Sequence, residues 1–317
     1  MSRALKWFSF ALSAISLVVL ASSLLGLQPN PRFVAAQAAI PLTLTLSALA
    51  AVSSMAASTR LPKVLAFAAL GLWVALLLDV NLAARPESVA GPGLKVVAAN
   101  MLLTNQETSQ AVADILAQRP EVLLTVETTE ATPPLLEAAG FNLVASGLER
   151  ATHVKIWSRL PAHPLPRIDL GDRSLPVASV SVRGTEVVVV GVHLMSPTTE
   201  RTFATWRSNW DRLAPALRDL NGPTMVLGDF NTSTLHPQMR GLLGRYDSAS
   251  ASSWRTYVSP TWPALPYRWW SQPLKVLDLD HILVQGLAAA EFTRFEVSGS
   301  DHLAVAARIE PMYGTVD

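Results

Sequence analysis

The chain has 317 residues, of which 50% are hydrophobic and only 15% charged, and its formal net charge is +1. Disordered chains, coiled coils and collagen need a polar or repetitive composition, so those classes are excluded, and the low charge disfavours a purely soluble enzyme. Cysteine is absent, which rules out a disulfide framework and a thiolate metal site.

The apolar excess lies at the front. Residues 1–82 carry five basic groups (Arg3, Lys6, Arg32, Arg60, Lys63) and one acid (Asp79), leaving 20 of the 25 basic and 23 of the 24 acidic groups to the remainder. Three apolar stretches, 7–27, 33–57 and 64–82, each approach the roughly 20 residues that cross a hydrocarbon core. Three transmembrane helices are therefore expected, with residues 1–83 as a membrane anchor. A cleavable signal peptide is the alternative for the first stretch, but its apolar run is longer than such peptides use. Arg3, Lys6, Arg60 and Lys63 flank one side of the spans, against Arg32 and Arg85 on the other. That bias puts the N-terminus in the cytoplasm and everything after Arg85 outside. The expected location is the inner (cell) membrane, with the following domain facing the periplasm or exterior. Residues 84–93, with Pro86, Gly91, Pro92 and Gly93, read as a linker.

From residue 94 short β-branched runs alternate with amphipathic stretches. Strands are predicted at 94–99, 122–126, 142–145, 154–157, 177–182, 187–193, 224–227, 281–284, 291–296 and 303–309. Helices are predicted at 109–118, 134–139, 201–220 and 237–243. In the longest, Trp206, Trp210, Leu213, Leu217 and Leu220 form a core stripe, and Pro215 is expected to kink or divide it. The runs 177–182 and 187–193 flank Arg183-Gly184-Thr185 and suggest an antiparallel hairpin. The mixture favours an α+β fold with two sheets inside over a doubly wound parallel sheet. This domain spans 94–310, with 311–317 as a tail.

The strands end in polar groups: Asn100, Glu127, His193, Asp229-Phe230-Asn231, Asp280-His281 and Ser300-Asp301-His302. A strand-end Asn or Asp is commonly a turn residue, but six such ends in one domain can converge on one rim. His281 should point away because strand neighbours alternate. His153, His163 and His236 have no partner pattern and read as surface residues.

Gly228-Asp229-Phe230-Asn231, Leu279-Asp280-His281-Ile282 and Ser300-Asp301-His302, in this order, resemble the endonuclease/exonuclease/phosphatase superfamily, which has the deoxyribonuclease I-like fold. Asn100, Glu127 and Val192-His193-Leu194 fit the same pattern, and the resemblance runs from about residue 94 to 309. The three-span front is similar to a membrane-anchored bacterial subgroup. The resemblance implies a four-layer sandwich of two packed mixed sheets flanked by helices. It also implies hydrolysis of phosphate esters with Mg²⁺ or Mn²⁺ by direct attack of water. Carried over, Glu127 is the main metal ligand, with Asn100 and Asp301 beside it. Asp229 orients or deprotonates the water, Asn231 and His193 contact the phosphate, and Asp280 holds His302 against a phosphate oxygen. Two positions depart from the pattern. Asp278 stands where many relatives carry Arg, and Leu102 replaces an acid found in some nucleases.

The substrate is less determined. Nucleic-acid binders usually show a basic face, whereas this domain has more acids than bases. Nucleic acid is therefore the less favoured partner, and a lipid or other small phosphate ester is expected. Residues 253–275 hold six Trp or Tyr residues with Arg255 and Arg268. Such a segment suits either a membrane-docking loop or a loop packed on the domain, and Trp262 is its expected substrate contact. A nuclease on the same scaffold, or a catalytically silent binding or sensor module, are the competing readings.

Overall fold

The computed structural model describes residues 3–40, 60–83, 93–148, 154–252, 259–263 and 275–312, together with 45, 48–49, 52, 268–269 and 272–273. The N-terminal part contains α1 (Arg3–Leu24), α2 (Pro31–Ala38) and α3 (Leu61–Ala83). The domain that follows runs β1 (Leu94–Asn100), α4 (Thr108–Ala117), β2 (Val122–Val126), α5 (Thr132–Ala138), β3 (Asn142–Ser146) and β4 (Lys155–Ser158). Its second half runs β5 (Ala162–Asp169), β6 (Ser174–Val182), β7 (Thr185–His193), α6 (Glu200–Asp219), β8 (Thr224–Asp229), α7 (Pro237–Arg240) and β9 (Asp247–Ser248). A two-residue pair, β10 (Arg268–Trp269) and β11 (Gln272–Pro273), precedes β12 (Asp280–Gln285), β13 (Leu287–Glu296) and β14 (Leu303–Pro311).

Two six-stranded sheets, ordered β13-β14-β1-β2-β4-β3 and β5-β6-β7-β8-β12-β9, pack face to face. Alternation assigns the faces: Val96, Ala98, Val122 and Leu124 of one sheet meet Ala178, Val180, Val189 and Leu227 of the other. The outer face of the first sheet packs on α4 and α5 through Val97, Leu123, Ile115 and Leu136. The outer face of the second packs on α6 through Val190, Val226, Trp206 and Trp210. The result is the expected α+β sandwich with helices on both outer faces.

Each sheet has a parallel pair at its centre, β1 with β2 and β7 with β8. The strands beside these pairs, β14 and β12, run antiparallel to β1 and β8. The C-terminal ends of the parallel strands therefore lie on the same edge as the N-terminal ends of β12 and β14. This is the edge on which the polar strand ends meet.

The N-terminal expectation needs correcting. Among the described residues, no helix is long and apolar enough to cross a membrane, so the three expected transmembrane spans are not found there. Within the second stretch the described residues include the eight-residue α2, which buries Pro31, Val34, Gln37 and Ala38. Asn30 caps this helix by accepting from Arg32 N and Phe33 N, at 3.0 and 3.3 Å. The rest of that stretch lies mostly outside the described residues, as does the expected linker before Gly93. In the first stretch, α1 buries Ser13, Ser16, Ser22 and Ser23. It docks polar atoms on the sandwich: Ser23 Oγ donates to Leu235 O at 2.7 Å, and Arg240 Nη2 donates to Ser23 O at 2.7 Å. Both α1 and α3 turn large apolar side chains outward, among them Trp7, Ile15, Val18, Phe67 and Leu78.

Pro215 neither divides nor ends α6, which runs unbroken over 20 residues. Its buried stripe is Phe203, Trp206, Trp210, Leu213 and Leu217, so hydrophobic packing outweighs the loss of one backbone hydrogen bond.

Candidate active site

Sheet register sets the spacing of the central groups. Asp229, the last residue of β8, is paired with His193 on β7 and with Asp280 on β12. Residues paired across strands share a face, and Asp229 continues the inner row of Met225 and Leu227. Asn100 likewise ends the inner row of β1 after Val96 and Ala98. Both sheets therefore send their last inward side chains into one space between them. Glu127 follows β2 in the left-handed region, at φ 52°, as does Asn231, at φ 46°. Non-glycine residues held there are uncommon and gather at functional sites.

Gly228 permits this crowding. At φ 138° a Cβ would stand 2.0 Å from Val192 O and 2.8 Å from Leu124 Cδ2. The loop beyond it is fixed from below, because Trp206 Nε1 and Trp210 Nε1 both donate to Thr232 Oγ1 at 3.0 Å.

The groups touch one another. Asn100 Nδ2 donates to Glu127 Oε1 at 3.1 Å and to Asp229 Oδ2 at 3.2 Å. Asp229 Oδ1 accepts from Asn231 N at 2.8 Å. His193 Nε2 lies 3.6 Å from Glu127 Oε1 and 3.8 Å from Asp229 Oδ2. His302 Nδ1 meets Asp280 Oδ2 at 2.8 Å, while its Nε2 lies 3.8 Å from Asp229 Oδ2. Asp301 accepts from Trp262 Nε1 at 3.1 Å. The structure thus brings Glu127, His193, Asp229, Asn231 and His302 around one cavity, with Trp262 and Asp301 on its wall and Asn100 and Asp280 buried behind them. Asn231 sits at its floor, its Nδ2 donating to Leu194 O at 3.0 Å. The aromatic segment lies largely outside the described residues, including Trp254, Tyr257, Tyr267 and Trp270.

Burial divides the two histidines. Desolvation, helped by the nearby Arg173 and His302 charges, pushes His193 down to about 3, so this ring is neutral. Its Nδ1 has no hydrogen-bond partner among the described residues. Leaving that nitrogen as a bare lone pair places the ring proton on Nε2, which faces Glu127 and Asp229. His302 is also desolvated, but Asp280 and Asp229 outweigh that cost and raise it to about 10. It is a cation. Asp229 is raised by burial, against the attraction of His302 and with further upward pushes from Asp280 and Glu127.

Sequence reasoning missed several supporting groups. Thr261 Oγ1 donates to Asp280 Oδ2 at 2.6 Å, fixing the carboxylate that holds His302. Arg173 donates to His193 O at 3.1 Å. Neither belongs to a strand-end motif, although Thr261 adjoins Trp262. His236, expected on the surface, is buried: its Nδ1 accepts from Ser233 N and its Nε2 donates to Val34 O, both at 2.8 Å. His281 does face away, its Nε2 meeting Thr232 O at 2.8 Å. Asp278 is buried and accepts from Ser233 Oγ and Thr234 N, so the acid in the place of an arginine anchors a loop.

A divalent cation suits this donor set. Asp229, Asp280 and His302 each offer a ligand atom within 4.8 Å of the others. Two of the three are engaged with each other, however, and Asp280 also accepts from Thr261. Glu127, whose side chain is 24% exposed, presents a carboxylate to the cavity instead. Burial first, and the Asp280 and Glu127 carboxylates after it, raise Asp229, and a hard cation among these oxygens would offset their mutual repulsion.

A family model described as the Endonuclease/Exonuclease/phosphatase family matches residues 97–302. No curated protein sequence matches the chain significantly. Among solved structures, D. rerio TDP2 complexed with single-strand DNA product aligns at a TM-score of 0.57 and 12% identity, covering 69% of this chain and all of that one. The mannosyl-6-phosphatase Bt3783 of Bacteroides thetaiotaomicron aligns at 0.52 and 13%, covering 68% and 99%. The 3' phosphatase NExo from Neisseria, bound to product DNA hairpin, aligns at 0.51 and 19%, also covering 68% and 99%. At these identities the likeness is one of fold.

Proposed function

We propose, from the premise that the chain belongs to the endonuclease/exonuclease/phosphatase family, that it hydrolyses a lipid or other small phosphate ester with Mg²⁺, or Mn²⁺, by direct attack of water. That it is a metal-dependent phosphoester hydrolase follows from the family; the substrate class, the ion and the roles below are our reading. The observation that carries it is the placement of two histidines, His193 and His302, each with Nε2 3.8 Å from the buried Asp229 carboxylate, burial lowering the first and Asp280 with Asp229 raising the second.

In this reading Glu127 would hold the cation, with Asn100 and Asp301 beside it. The cation would polarise the phosphoryl oxygens and offset the charge that develops on them. Asp229, oriented by Asn231 N, takes the proton of the attacking water. A carboxyl shifted upward by burial is a better base near neutral pH than an ordinary one. His302, kept charged by Asp280, neutralises a non-bridging oxygen. His193 donates from Nε2 to the phosphate, and the Asn231 amide is its neighbour on the floor.

The catalytic domain outnumbers its bases with acids, which weighs against duplex nucleic acid. Membrane association is part of the proposal and rests on the outward apolar side chains of α1 and α3. The catalytic domain is proposed to face the exterior. Sedimentation of the full chain with membranes tests the first point, and an alkaline phosphatase fusion after Asp317 tests the second.

The enzymatic reading is tested with methyl p-nitrophenyl phosphate, plasmid DNA and phospholipid vesicles, each with Mg²⁺. Turnover of the phosphate esters but not DNA is expected, and Asp229→Asn should abolish it. Wild-type turnover in that variant overturns the site; preferential cutting of DNA makes the nuclease reading the correct one.

A further inference from the structure

The family match covers residues 97–302, yet one wall of the catalytic cavity comes from far outside it. The cavity, of about 980 Å³, has Glu127, His193, Asp229 and His302 on one side. On the other side stand Pro31, Arg32, Val34, Ala35 and Ala38 of α2. The helix is held there by buried contacts. Val34 packs into the α6-side core and its carbonyl accepts from His236 Nε2. Gln238 Nε2 donates to Gln28 Oε1 just before the helix.

Behind α2 lies a second space, about 340 Å³, between α1 and α2. Ala14, Ile15, Val18, Val19, Phe33 and Ala36 line it, and the one charged residue at its edge is Arg32. Arg32 also lines the catalytic cavity, so the two spaces adjoin at this residue. The groove opens beside Ile15 and Val18, each 56% exposed on α1. A phosphate-handling cavity thus adjoins an apolar groove at Arg32. Guanidinium favours phosphate oxygens, and an apolar groove of this size accepts hydrocarbon.

We infer that the groove between α1 and α2 takes the hydrocarbon chain of a lipid phosphoester, with Arg32 at the junction and the phosphate among Glu127, His193, Asp229 and His302. This rests on the hydrolase reading and names its substrate class. The N-terminal helices then select the substrate, and the chemistry itself stays in the sandwich.

The test uses the full chain in detergent, Mg²⁺, and a matched pair of esters, methyl and octyl p-nitrophenyl phosphate, below the micellar concentration of the octyl ester. Both release p-nitrophenol, so the difference in kcat/KM reports only the chain. The wild type should prefer the octyl ester by about 10²-fold, the order expected for burying several methylenes. Ala14→Trp, which fills the groove, should cut that preference at least tenfold. Ala36→Leu reads the same ratio with a smaller side chain, should the tryptophan disturb folding. A wild-type preference near unity, or one unchanged in both variants, overturns the inference. Failure of the hydrolase reading shows differently, as undiminished turnover of both esters by Asp229→Asn.

Discussion

The sheet edge and the N-terminal helices hold their functional groups by different means. At the edge, His193, Asp229 and Asp280 stand in one register row, and Asn100 ends the row of the facing sheet. Backbone pairing sets their spacing, so the geometry is as rigid as the sandwich. At α2 no ladder exists, and a few contacts place the helix: Val34 O with His236, Gln28 with Gln238, and Ser23 with Leu235 and Arg240. The contrast teaches that chemistry is anchored by strand register, whereas the substrate wall is hung on the sandwich by a few polar contacts and the apolar packing of Val34 and Leu235. Substitutions at the edge should change rate, and substitutions at the helices should change selectivity or docking.

The sharpest break on the edge side is His302→Ala. It removes the cation facing Asp229 and should lower turnover per folded molecule by about 10²-fold or more, with some stability lost because Asp280 stays buried without its partner. Loss of folding with activity in proportion would instead make His302 structural. Gly228→Ala tests the rigidity itself. Its Cβ would meet backbone at Val192 O, so a loss of about 2 kcal/mol or more is expected in denaturant unfolding. A stability within 0.5 kcal/mol (roughly the error of a surface substitution) would show that the edge is softer than described.

On the helix side, His236→Ala removes the ring that accepts from Ser233 N and donates to Val34 O at a buried position. About 1–3 kcal/mol should be lost, with faster proteolysis before residue 40 and little change in turnover of the methyl ester per folded molecule. The same residue carries a pH signature. Burial lowers His236 to about 4, so its neutral form belongs to the folded state. The associated stability is present above about 6.5 and is lost as pH falls from there toward 4. The wild type should therefore lose stability relative to His236→Gln across that window. Parallel curves would remove the histidine from the docking. The smallest effect is expected for Trp262→Phe, which loses only the indole contact to Asp301 and should change kcat/KM by less than about tenfold, in line with one part-buried hydrogen bond.

Much of the sheet edge was legible because strand ends carry chemistry and strand interiors carry period-two burial. Asn100, Glu127, His193 and Asp229 each follow or close a β-branched run, and Asp280 opens one. The strand β5 escaped notice because Pro164 and Pro166 break the pattern, which an edge strand tolerates. β13 was seen only in its second half, since the bulge between Ala290 and Thr293 shifts its alternation. Thr261 and Arg173 were invisible because they act through partners distant in sequence. At the front, apolar length alone does not distinguish a spanning segment from a short helix such as α2, which buries Val34 and Gln37.

The most direct test of the central claim is turnover of methyl p-nitrophenyl phosphate as a function of Mg²⁺, for the wild type and Glu127→Gln. Chelator should abolish activity and Mg²⁺ restore it, and the variant should need at least about tenfold more Mg²⁺, as loss of one charged ligand implies. Turnover that survives chelation, or a Glu127→Gln titration that overlays the wild type, would contradict the account.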